Sequence, residues 1–267
     1  MCEENEMIDL NGKKALITGA SSGFGVDFAN ILGEVGMDLV LVARRRERLE
    51  EVKKSVEEKW GVSVKVISMD LAGFDAASKL YKLVKDDDIE VLINNAGYGI
   101  FGHVRDQDAK EVDTMIQLNV VSLAALTNMF LKKMVEKESG YIMNVSSFAG
   151  FNPMPLYAAY GAAKSFVMNY TVAIHAELQK TGSKVKVSAF CPGYTNTEFI
   201  DVSRQKKSKF VKMAMGESYP AAKEAVEKML KGKPVSMPRF INKFGAVMMK
   251  FMSRKRAALG VYNAIGK

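Results

Sequence analysis

The sequence has few of the residues that cross-link a chain or bind metals. Its 267 residues include two cysteines, Cys2 and Cys191, and two histidines, His103 and His175. Two cysteines indicate no disulfide framework, and a reducing, cytoplasmic location is the default expectation. No group of histidine, cysteine and acidic residues has the spacing of metal ligands, so we predict no metal site.

The chain also lacks an apolar run that we would expect to span a membrane, and its first ten residues are acidic and polar, unlike a secretion signal. Instead it has 48% hydrophobic and 25% charged residues, which is typical of a soluble globular protein. The net charge of +8 is concentrated late in the chain. Since no recognised binding motif accompanies this charge, we expect no nucleic-acid partner.

Predicted strands and helices alternate along the chain. We predict strands near 14–18, 38–43, 62–68, 90–94, 140–146 and 185–190, and helices near 23–35, 46–59, 74–85, 108–136 and 158–180. Such alternation favours an α/β fold, a Rossmann-type doubly wound parallel sheet with helices on both faces. We find no linker, so we predict one domain over 1–267, with its ligand crevice at the carboxyl ends of the strands.

A glycine-rich segment, Gly19-Ala-Ser-Ser-Gly-Phe-Gly25, joins the first predicted strand to the first helix. Glycines allow the backbone to turn tightly beside a pyrophosphate, and the helix N-terminus offers N–H donors. The spacing differs from the common Gly-x-Gly-x-x-Gly fingerprint, and the alternative is an ordinary glycine-rich loop. We predict a dinucleotide site that includes Gly19, Ser21, Ser22, Gly23, Phe24 and Gly25.

The end of the second predicted strand bears on which dinucleotide binds. An acidic residue for the ribose 2′-hydroxyl is expected about 20 residues past the glycines. Ala43 and Arg44 stand there instead, so no carboxylate repels a 2′-phosphate and a guanidinium can pair with it. We therefore predict NADP(H), bound in part by Arg44. We assign Arg45, Arg46 and Arg48 to the solvated start of the next helix, an alternative that also applies to Arg44.

Tyr160 and Lys164 are four residues apart, and Ser147 lies thirteen residues before Tyr160. On a helix, a four-residue spacing places both side chains on one face. A fixed positive charge one turn away favours a phenolate, so we expect Lys164 to lower the pKa of Tyr160. The spacing alone is common, and it gains weight only from the motifs around it.

Taken together, these segments resemble the short-chain dehydrogenase/reductase family. The matching segments occur in the family's order between about Lys13 and Thr197: Thr18 to Gly25, Asn94-Asn-Ala-Gly97, Asn119 in Leu-Asn-Val, Ser146-Ser147, Tyr160-Gly-Ala-Ala-Lys164 and Pro192-Gly-Tyr-Thr-Asn-Thr197. The resemblance implies catalytic roles for Asn119, Ser147, Tyr160 and Lys164. It also implies cofactor contacts from Asp70, Leu71, Asn95, Ala96, Gly97, Tyr160, Lys164, Pro192, Gly193, Thr195 and Thr197. Asp70 also fits a helix N-cap, which is compatible with that role.

The chemistry that this resemblance implies is reversible hydride transfer between a nicotinamide and a ketone or secondary alcohol. Tyr160 would exchange the proton, Ser147 would hold the substrate oxygen, Lys164 would also bind the nicotinamide ribose, and Asn119 would hold a water molecule. Mostly apolar residues flank these motifs: Tyr98, Phe101, Phe148, Phe151, Met154, Tyr157 and Tyr194. They favour a bulky hydrophobic substrate, either hydroxysteroid-like or 3-oxoacyl-like. The alternative is a catalytically silent NADP-binding regulatory or scaffold protein.

The remaining predictions concern a lid, a basic tail and the surfaces that pair subunits. By resemblance, 196–232 would form a lid, and the helices near 108–136 and 158–180 would pair subunits into a homodimer or homotetramer through residues such as Leu123, Leu126, Met129, Phe166, Tyr170 and Ile174. Residues 239–267 are basic, contain no acid, and place apolar residues at helical spacing. This tail could contact a membrane peripherally, but we favour packing on its own domain or on a partner subunit.

Overall fold

The computed structural model describes residues 9–205, 209–238, 245 and 251–266. Among these residues, strands and helices alternate as the sequence predicts. The strands are β1 (Lys14–Thr18), β2 (Asp38–Ala43), β3 (Val64–Ser68), β4 (Ile89–Asn94), β5 (Tyr141–Val145), β6 (Lys186–Phe190) and β7 (Val235–Ser236). The helices are α1 (Phe24–Glu34), α2 (Arg46–Trp60), α3 (Ala76–Val84), α4 (Ala109–Ile116), α5 (Leu123–Glu136), α6 (Ala158–Lys180), α7 (Phe199–Val202), α8 (Lys209–Ala214), α9 (Ser218–Leu230) and α10 (Arg254–Ile265).

All strands in the described part of the chain join one parallel sheet in the order β3-β2-β1-β4-β5-β6-β7. The order reverses at β1, whose neighbours are β2 and β4. In such a sheet, the loops after β1 and β4 lead to opposite sides and leave a crevice between them at the carboxyl ends of the strands. The predicted fold class, a Rossmann-type doubly wound sheet, is therefore confirmed.

Both faces of the sheet are buried, which explains why its central strands are continuous apolar runs. Alternate residues of each strand face opposite layers. Ile17 and Leu41 pack with α1, α2 and α9, whereas Leu16, Val40 and Leu92 pack with α3, α5 and α6. The two layers hold the strand ends, and hence the crevice, in a fixed place.

The predicted helix over 108–136 is divided into two helices. A π-helical turn, Gln117–Ser122, separates α4 from α5. By length and composition, the stretch Ala109–Glu136 is long and apolar enough to cross a membrane, contrary to our expectation from the sequence. In the fold it packs in the helical layer, where Leu126, Phe130 and Met134 contribute to the core.

Two expectations about surfaces need correction. Among the residues expected to pair subunits, Leu123, Leu126 and Ile174 are buried inside the domain, whereas Phe166 is exposed. Within the predicted lid region, α9 buries Ala222, Ala225, Val226 and Met229 in the layer that contains α1, so this part of the region belongs to the core. Much of the predicted basic tail, 239–244 and 246–250, lies outside the described residues.

Candidate active site

A crevice of about 370 Å³ opens at the point where the strand order reverses. Its walls contain most of the residues that the sequence predicts for the site: Gly19, Ser21, Ser22, Gly23, Phe24, Arg44, Asp70, Leu71, Asn95, Ala96, Gly97, Ser147, Tyr160, Lys164, Pro192, Gly193, Thr195 and Thr197. Two predicted residues, Gly25 and Asn119, are not among the residues that line the crevice. The fold thus brings segments that are far apart in sequence to one edge of the sheet.

The glycine-rich loop needs its glycines for backbone shape and for close packing. Gly19 and Gly23 have positive φ angles of 66° and 53°, which other residues adopt at a cost. A Cβ atom on Gly19 would lie 2.8 Å from the Ala96 Cα, and one on Gly25 would lie 2.2 Å from the Gly19 carbonyl oxygen. Gly25 therefore lets α1 pack against the loop, and we expect its effect on a cofactor to be indirect.

Thr18 and Asn95 tie this loop to the end of β4. The Thr18 Oγ1 accepts hydrogen bonds from the backbone N–H groups of Asn95 and Ala96, each at 3.0 Å. The Asn95 side-chain amide donates to the carbonyls of Thr18 at 2.9 Å and Gly19 at 3.2 Å. Asn95 thus holds the loop in shape. Sequence analysis assigned no function to Thr18, although a polar residue at the end of a buried apolar strand is a usable signal.

The two arginines after β2 have different surroundings. Arg44 lies at the crevice with its Nη1 3.9 Å from the Asp70 carboxylate. Arg45 reaches back from the start of α2, and its Nη2 donates to Glu198 at 2.8 Å and to the Ser21 hydroxyl at 3.3 Å. This bond holds the pKa of Glu198 below its usual value.

Assigning Arg45 to the solvated face of α2 was therefore wrong. The residue immediately precedes α2 and has an extended backbone, so its side chain is not constrained to the helix surface. Arg46 and Arg48 do lie on that surface, paired with Glu50 and Glu51. A run of arginines at the start of a predicted helix does not show that the side chain of its first residue, here Arg45, points away from the helix surface.

Ser147 and Tyr160 both line the crevice. The Ser147 side chain interacts with the Tyr160 phenol and opposes the rise in its pKa, and the Ser147 Oγ accepts from the Ala149 N–H at 3.1 Å. Ser146 faces away, because its hydroxyl donates to the Lys164 carbonyl at 2.7 Å. Of these two neighbouring serines, Ser147 is therefore the one whose side chain interacts with Tyr160.

Lys164 lies on the same face of α6 as Tyr160, but its ammonium points past the phenol. Its Nζ donates to the Val145 carbonyl at 2.9 Å and is 5.7 Å from the centroid of the Tyr160 ring. Burial lowers the pKa of Lys164 to about 8. Burial also raises the pKa of Tyr160 well above its ordinary value, an effect that the interaction with Ser147 opposes only in part.

Lys164 is not among the groups that shift the pKa of Tyr160 in this structure, where burial has the largest effect, so the expected lowering by Lys164 stays a prediction. A four-residue spacing predicts a shared helix face, but it does not predict where a long side chain ends or how deeply both groups are buried. Desolvation disfavours the charged form of each group. It keeps Tyr160 protonated at neutral pH.

Asn119 lies in the π-helical turn, fully buried. Its Nδ2 donates to the Tyr98 carbonyl at 2.8 Å, while its Oδ1 has no hydrogen-bond partner among the described residues. A Cβ on Gly97 would lie 2.2 Å from this oxygen and 3.3 Å from the Lys164 Nζ. Glycine at 97 thus leaves room between an unpaired acceptor and a buried cation. π-helical turns, which contain more residues than an α-helical turn, are frequent at functional sites.

Aromatic and apolar residues surround the outer part of the crevice. Of the expected set, Tyr98, Phe148, Met154, Tyr157 and Tyr194 line it. Phe101 and Phe151 instead pack within hydrophobic clusters. Phe199, Ile200 and Val202 add an apolar wall that sequence analysis missed, because no periodic pattern marks this short helix, α7.

A network of hydroxyl and amide groups holds the segment that contains α7. The Tyr157 hydroxyl is 2.7 Å from the Ser203 Oγ and donates to the Gln205 Oε1 at 3.0 Å. Arg204 binds the Glu111 carboxylate through both guanidinium Nη atoms, at 2.9 and 3.3 Å. Residues 199–205 are thereby joined to α4 and to the start of α6.

The site fits a dinucleotide cofactor by its shape and its donors. Gly19 and Gly97 line the crevice, and a Cβ on either would clash with Ala96 or Asn119, so only backbone borders the cavity at these two positions. No side chain caps the N-terminus of α1, and such helix ends bind phosphate groups. Two guanidinium groups border the crevice at the end of β2. No cluster of metal-ligating side chains occurs in the described ranges.

Comparison with known proteins gives the family. Residues 13–208 match the family model described as short chain dehydrogenase. The very-long-chain 3-oxoacyl-CoA reductase-B of Danio rerio is 32% identical over 198 residues, which cover 72% of this chain and 63% of that protein. The chain therefore spans somewhat less than two thirds of that relative.

Solved structures agree with this match. A short-chain dehydrogenase from Sphingobium yanoikuyae in complex with NADPH superposes with a TM-score of 0.80 at 28% identity, over 90% of this chain and 96% of that one. A 7β-hydroxysteroid dehydrogenase superposes with a TM-score of 0.83 at 25% identity, over 94% and 97%. The chain belongs to the short-chain dehydrogenase/reductase family of oxidoreductases.

Proposed function

We propose that this protein is an NADP(H)-dependent oxidoreductase that interconverts a ketone and a secondary alcohol on a hydrophobic substrate. The observation that carries the proposal is the placement of Ser147, Tyr160 and the buried Lys164 ammonium together in one crevice. These groups lie in the same crevice as the glycine-rich loop and the two arginines. One cavity thus combines a proton donor with the features of a nucleotide site.

The cofactor would lie along the carboxyl ends of β1, β2, β4 and β6. The loop from Gly19 to Phe24 would hold its pyrophosphate, and Asp70 its adenine. Arg44 would pair with the 2′-phosphate, and Arg45 is near enough to the loop to assist. When bound, the nicotinamide supplies hydride to a carbonyl carbon or accepts it from an alcohol.

The chain's own residues would donate the proton to the substrate and replace it afterwards. Because the Tyr160 phenol is protonated in this buried site, its Oη carries the proton that a carbonyl oxygen would accept during reduction. The Ser147 hydroxyl would orient that oxygen. Lys164 and a water molecule held by Asn119 would return the proton to Tyr160. A proton donor placed in this way contributes roughly 10²–10⁴-fold to a rate.

The walls of the crevice favour a bulky apolar substrate. Phe148, Met154, Phe199 and Ile200 line it beside the Ser147–Tyr160 pair. Named relatives include 3-oxoacyl-CoA reductases and a hydroxysteroid dehydrogenase, so both substrate classes remain in the proposal. The buried free thiol of Cys191 suits the reducing cytoplasm in which we place the reaction.

The experiment is a screen of NADPH oxidation by the full-length protein. The panel contains 3-oxoacyl-CoA thioesters of increasing chain length, ketosteroids and small ketones, with NADH measured in parallel. We expect turnover on at least one bulky ketone, and faster turnover with NADPH than with NADH. Tight NADPH binding without turnover on any of them would instead support a silent NADP-binding scaffold.

A further inference from the structure

The turn before α10, the first turn of α10 and its outer face carry exposed apolar and basic residues. We call this surface the C-terminal patch and define it by Phe251, Met252, Leu259 and Tyr262 together with the basic residues Arg254, Lys255 and Arg256. Phe251 is 84% exposed and Leu259 is 56% exposed. Large side chains with this much exposed surface are costly in water, so the presence of four of them within residues 251–262 calls for an explanation.

The opposite face of α10 fixes the orientation of the patch. Ala257 and Ile265 are buried, with Val261 and Ala264 partly buried beside Ile265. Ile265 packs in the same cluster as Tyr157 and Tyr160, and the Ser253 hydroxyl caps the helix by accepting from the Arg256 N–H. The helix is thus fastened to the wall of the active site, and Leu259 and Tyr262 face outward.

The charge of the chain segment from 239 to 267 has one sign. Arg254, Lys255 and Arg256 are exposed next to the apolar residues, and the sequence from 239 to 267 contains no aspartate or glutamate. A second copy of the same patch would be repelled. Nucleic acid would match the charge but would leave Phe251, Met252 and Leu259 in water. An anionic lipid surface matches both properties, because it offers phosphate groups above an apolar layer.

We propose that the C-terminal patch binds the surface of an anionic lipid bilayer. Phe251, Met252 and Leu259 enter the boundary between headgroups and acyl chains, Tyr262 lies at headgroup level, and the three basic side chains contact lipid phosphates. Because the inner face of α10 borders the Tyr157–Tyr160 cluster, the bilayer lies on the substrate side of the enzyme. The consequence for substrate supply rests on the proposed function, whereas the binding itself does not.

The test is co-sedimentation of the full-length protein with lipid vesicles. One set contains phosphatidylcholine alone, and the other contains about 30% phosphatidylglycerol to give a negative surface. We expect at least roughly tenfold stronger binding to the anionic vesicles, reduced by added salt because surface charges are screened. The combined change Arg254→Glu, Lys255→Glu and Arg256→Glu is expected to abolish binding, and Phe251→Ser with Leu259→Ser to weaken it about tenfold or more.

A matched control surface lies on and beside α3. Phe74 is 86% exposed and Leu83 is 56% exposed, which matches Phe251 and Leu259, and Lys79, Lys82 and Lys85 are exposed nearby. Acidic residues Asp75, Asp86 and Asp87 accompany this second surface. The changes Phe74→Ser with Leu83→Ser, and Lys79→Glu, Lys82→Glu and Lys85→Glu, are therefore expected to leave vesicle binding within about twofold of wild type.

Each variant is checked for folding by circular dichroism and by NADPH binding. The proposal is overturned by absent binding, by equal binding to neutral and anionic vesicles, or by equal losses in the α3 variants. It is also overturned if the wild type binds no vesicles and the patch variants only dissociate a dimer in light scattering, since that result assigns the patch to a second copy. Because vesicle binding needs no turnover, it can fail while the proposed activity stands, and the reverse also holds.

Discussion

At the scale of single residues, the buried Lys164 ammonium opposes stability. With a native pKa of about 8 and an unfolded pKa near ~10.4, both states are protonated at pH 7, and the native state carries the cost of the buried charge. Between pH 8 and 10.4 the native state loses its proton first, so the unfolded state binds more protons and stability rises with pH.

We predict that Lys164→Met removes this pH dependence. The stability difference between wild type and variant should shift in favour of wild type by about 2 kcal/mol between pH 7 and pH ~9.5, since one pKa unit corresponds to about 1.4 kcal/mol. Urea unfolding of both proteins at the two pH values measures the shift. A difference that does not change with pH would contradict the buried, charged state of Lys164.

Arg44 and Arg45 give a prediction about the cofactor. Removing a guanidinium that pairs with the 2′-phosphate should cost about 1.5–3 kcal/mol, roughly tenfold or more in affinity, with little effect on NADH. We expect this loss of NADPH affinity for Arg44→Ala and a smaller one for Arg45→Ala, whose guanidinium is shared with Glu198. Fluorescence titration with both cofactors measures it. Arg46→Ala is the control, because Arg46 pairs with Glu50 on α2.

Equal NADPH and NADH affinities in the wild type would refute this assignment.

The arginines also show what could be predicted from the sequence at this scale. The position of Arg44 after β2 was predictable, since strand ends and glycine spacing place it. The direction of Arg45, like the directions of the Lys164 ammonium and the Asn119 amide, depends on tertiary neighbours such as Glu198 and Val145 that no local pattern identifies.

At the scale of elements, residues 199–205 close the substrate side of the crevice through Tyr157. The Tyr157 hydroxyl bonds to both Ser203 and Gln205. We predict that Tyr157→Phe loosens this segment while the ring keeps its packing against Phe101 and Phe199. The loss of bonds from a buried hydroxyl costs about 1–3 kcal/mol. We therefore expect faster hydrogen exchange over 199–205 and a higher KM, with kcat within a few-fold of wild type.

Val104→Ala, at an exposed residue of the short 3₁₀ helix before α4, is the control for this prediction. Unchanged exchange over 199–205 in Tyr157→Phe would show that the network does not hold the segment.

The strands and the first helices were predictable because continuous apolar runs and 3.6-residue periodicity mark them. The short elements α7 and β7 were not, since four and two residues are too few to show a period. The π-helical turn within 109–136 was not predictable either, because it barely disturbs the helical spacing of the apolar residues around it.

At the scale of the whole molecule, the exposed apolar residues of α6 predict association. Phe166 is exposed and stacks on Tyr170, with ring centroids 5.5 Å apart. We propose that this face joins two subunits, so the wild type should be a dimer or larger in light scattering at micromolar concentration. Phe166→Glu should produce a monomer, because it would place a charge in an apolar interface. Phe74→Glu, at an exposed aromatic away from α6, should leave the assembly intact.

A monomeric wild type would contradict this association, and a Phe166→Glu variant that remains a dimer would place the interface elsewhere. Subunit contacts illustrate a limit of sequence analysis at this scale. Both Leu126, which is buried within the domain, and Phe166, which is exposed, are apolar residues on long helices. Only the three-dimensional packing of the sheet determines which of them is left for a partner.

The central claim is that Tyr160 donates the proton in a reaction driven by NADPH, and the most direct test compares wild type with Tyr160→Phe on the best ketone from the screen. The substitution removes the hydroxyl and keeps the ring. We predict that turnover falls by at least roughly 10²-fold, as expected for loss of a general acid, while NADPH affinity stays within about twofold of wild type. Full activity in Tyr160→Phe on that substrate would contradict the mechanism.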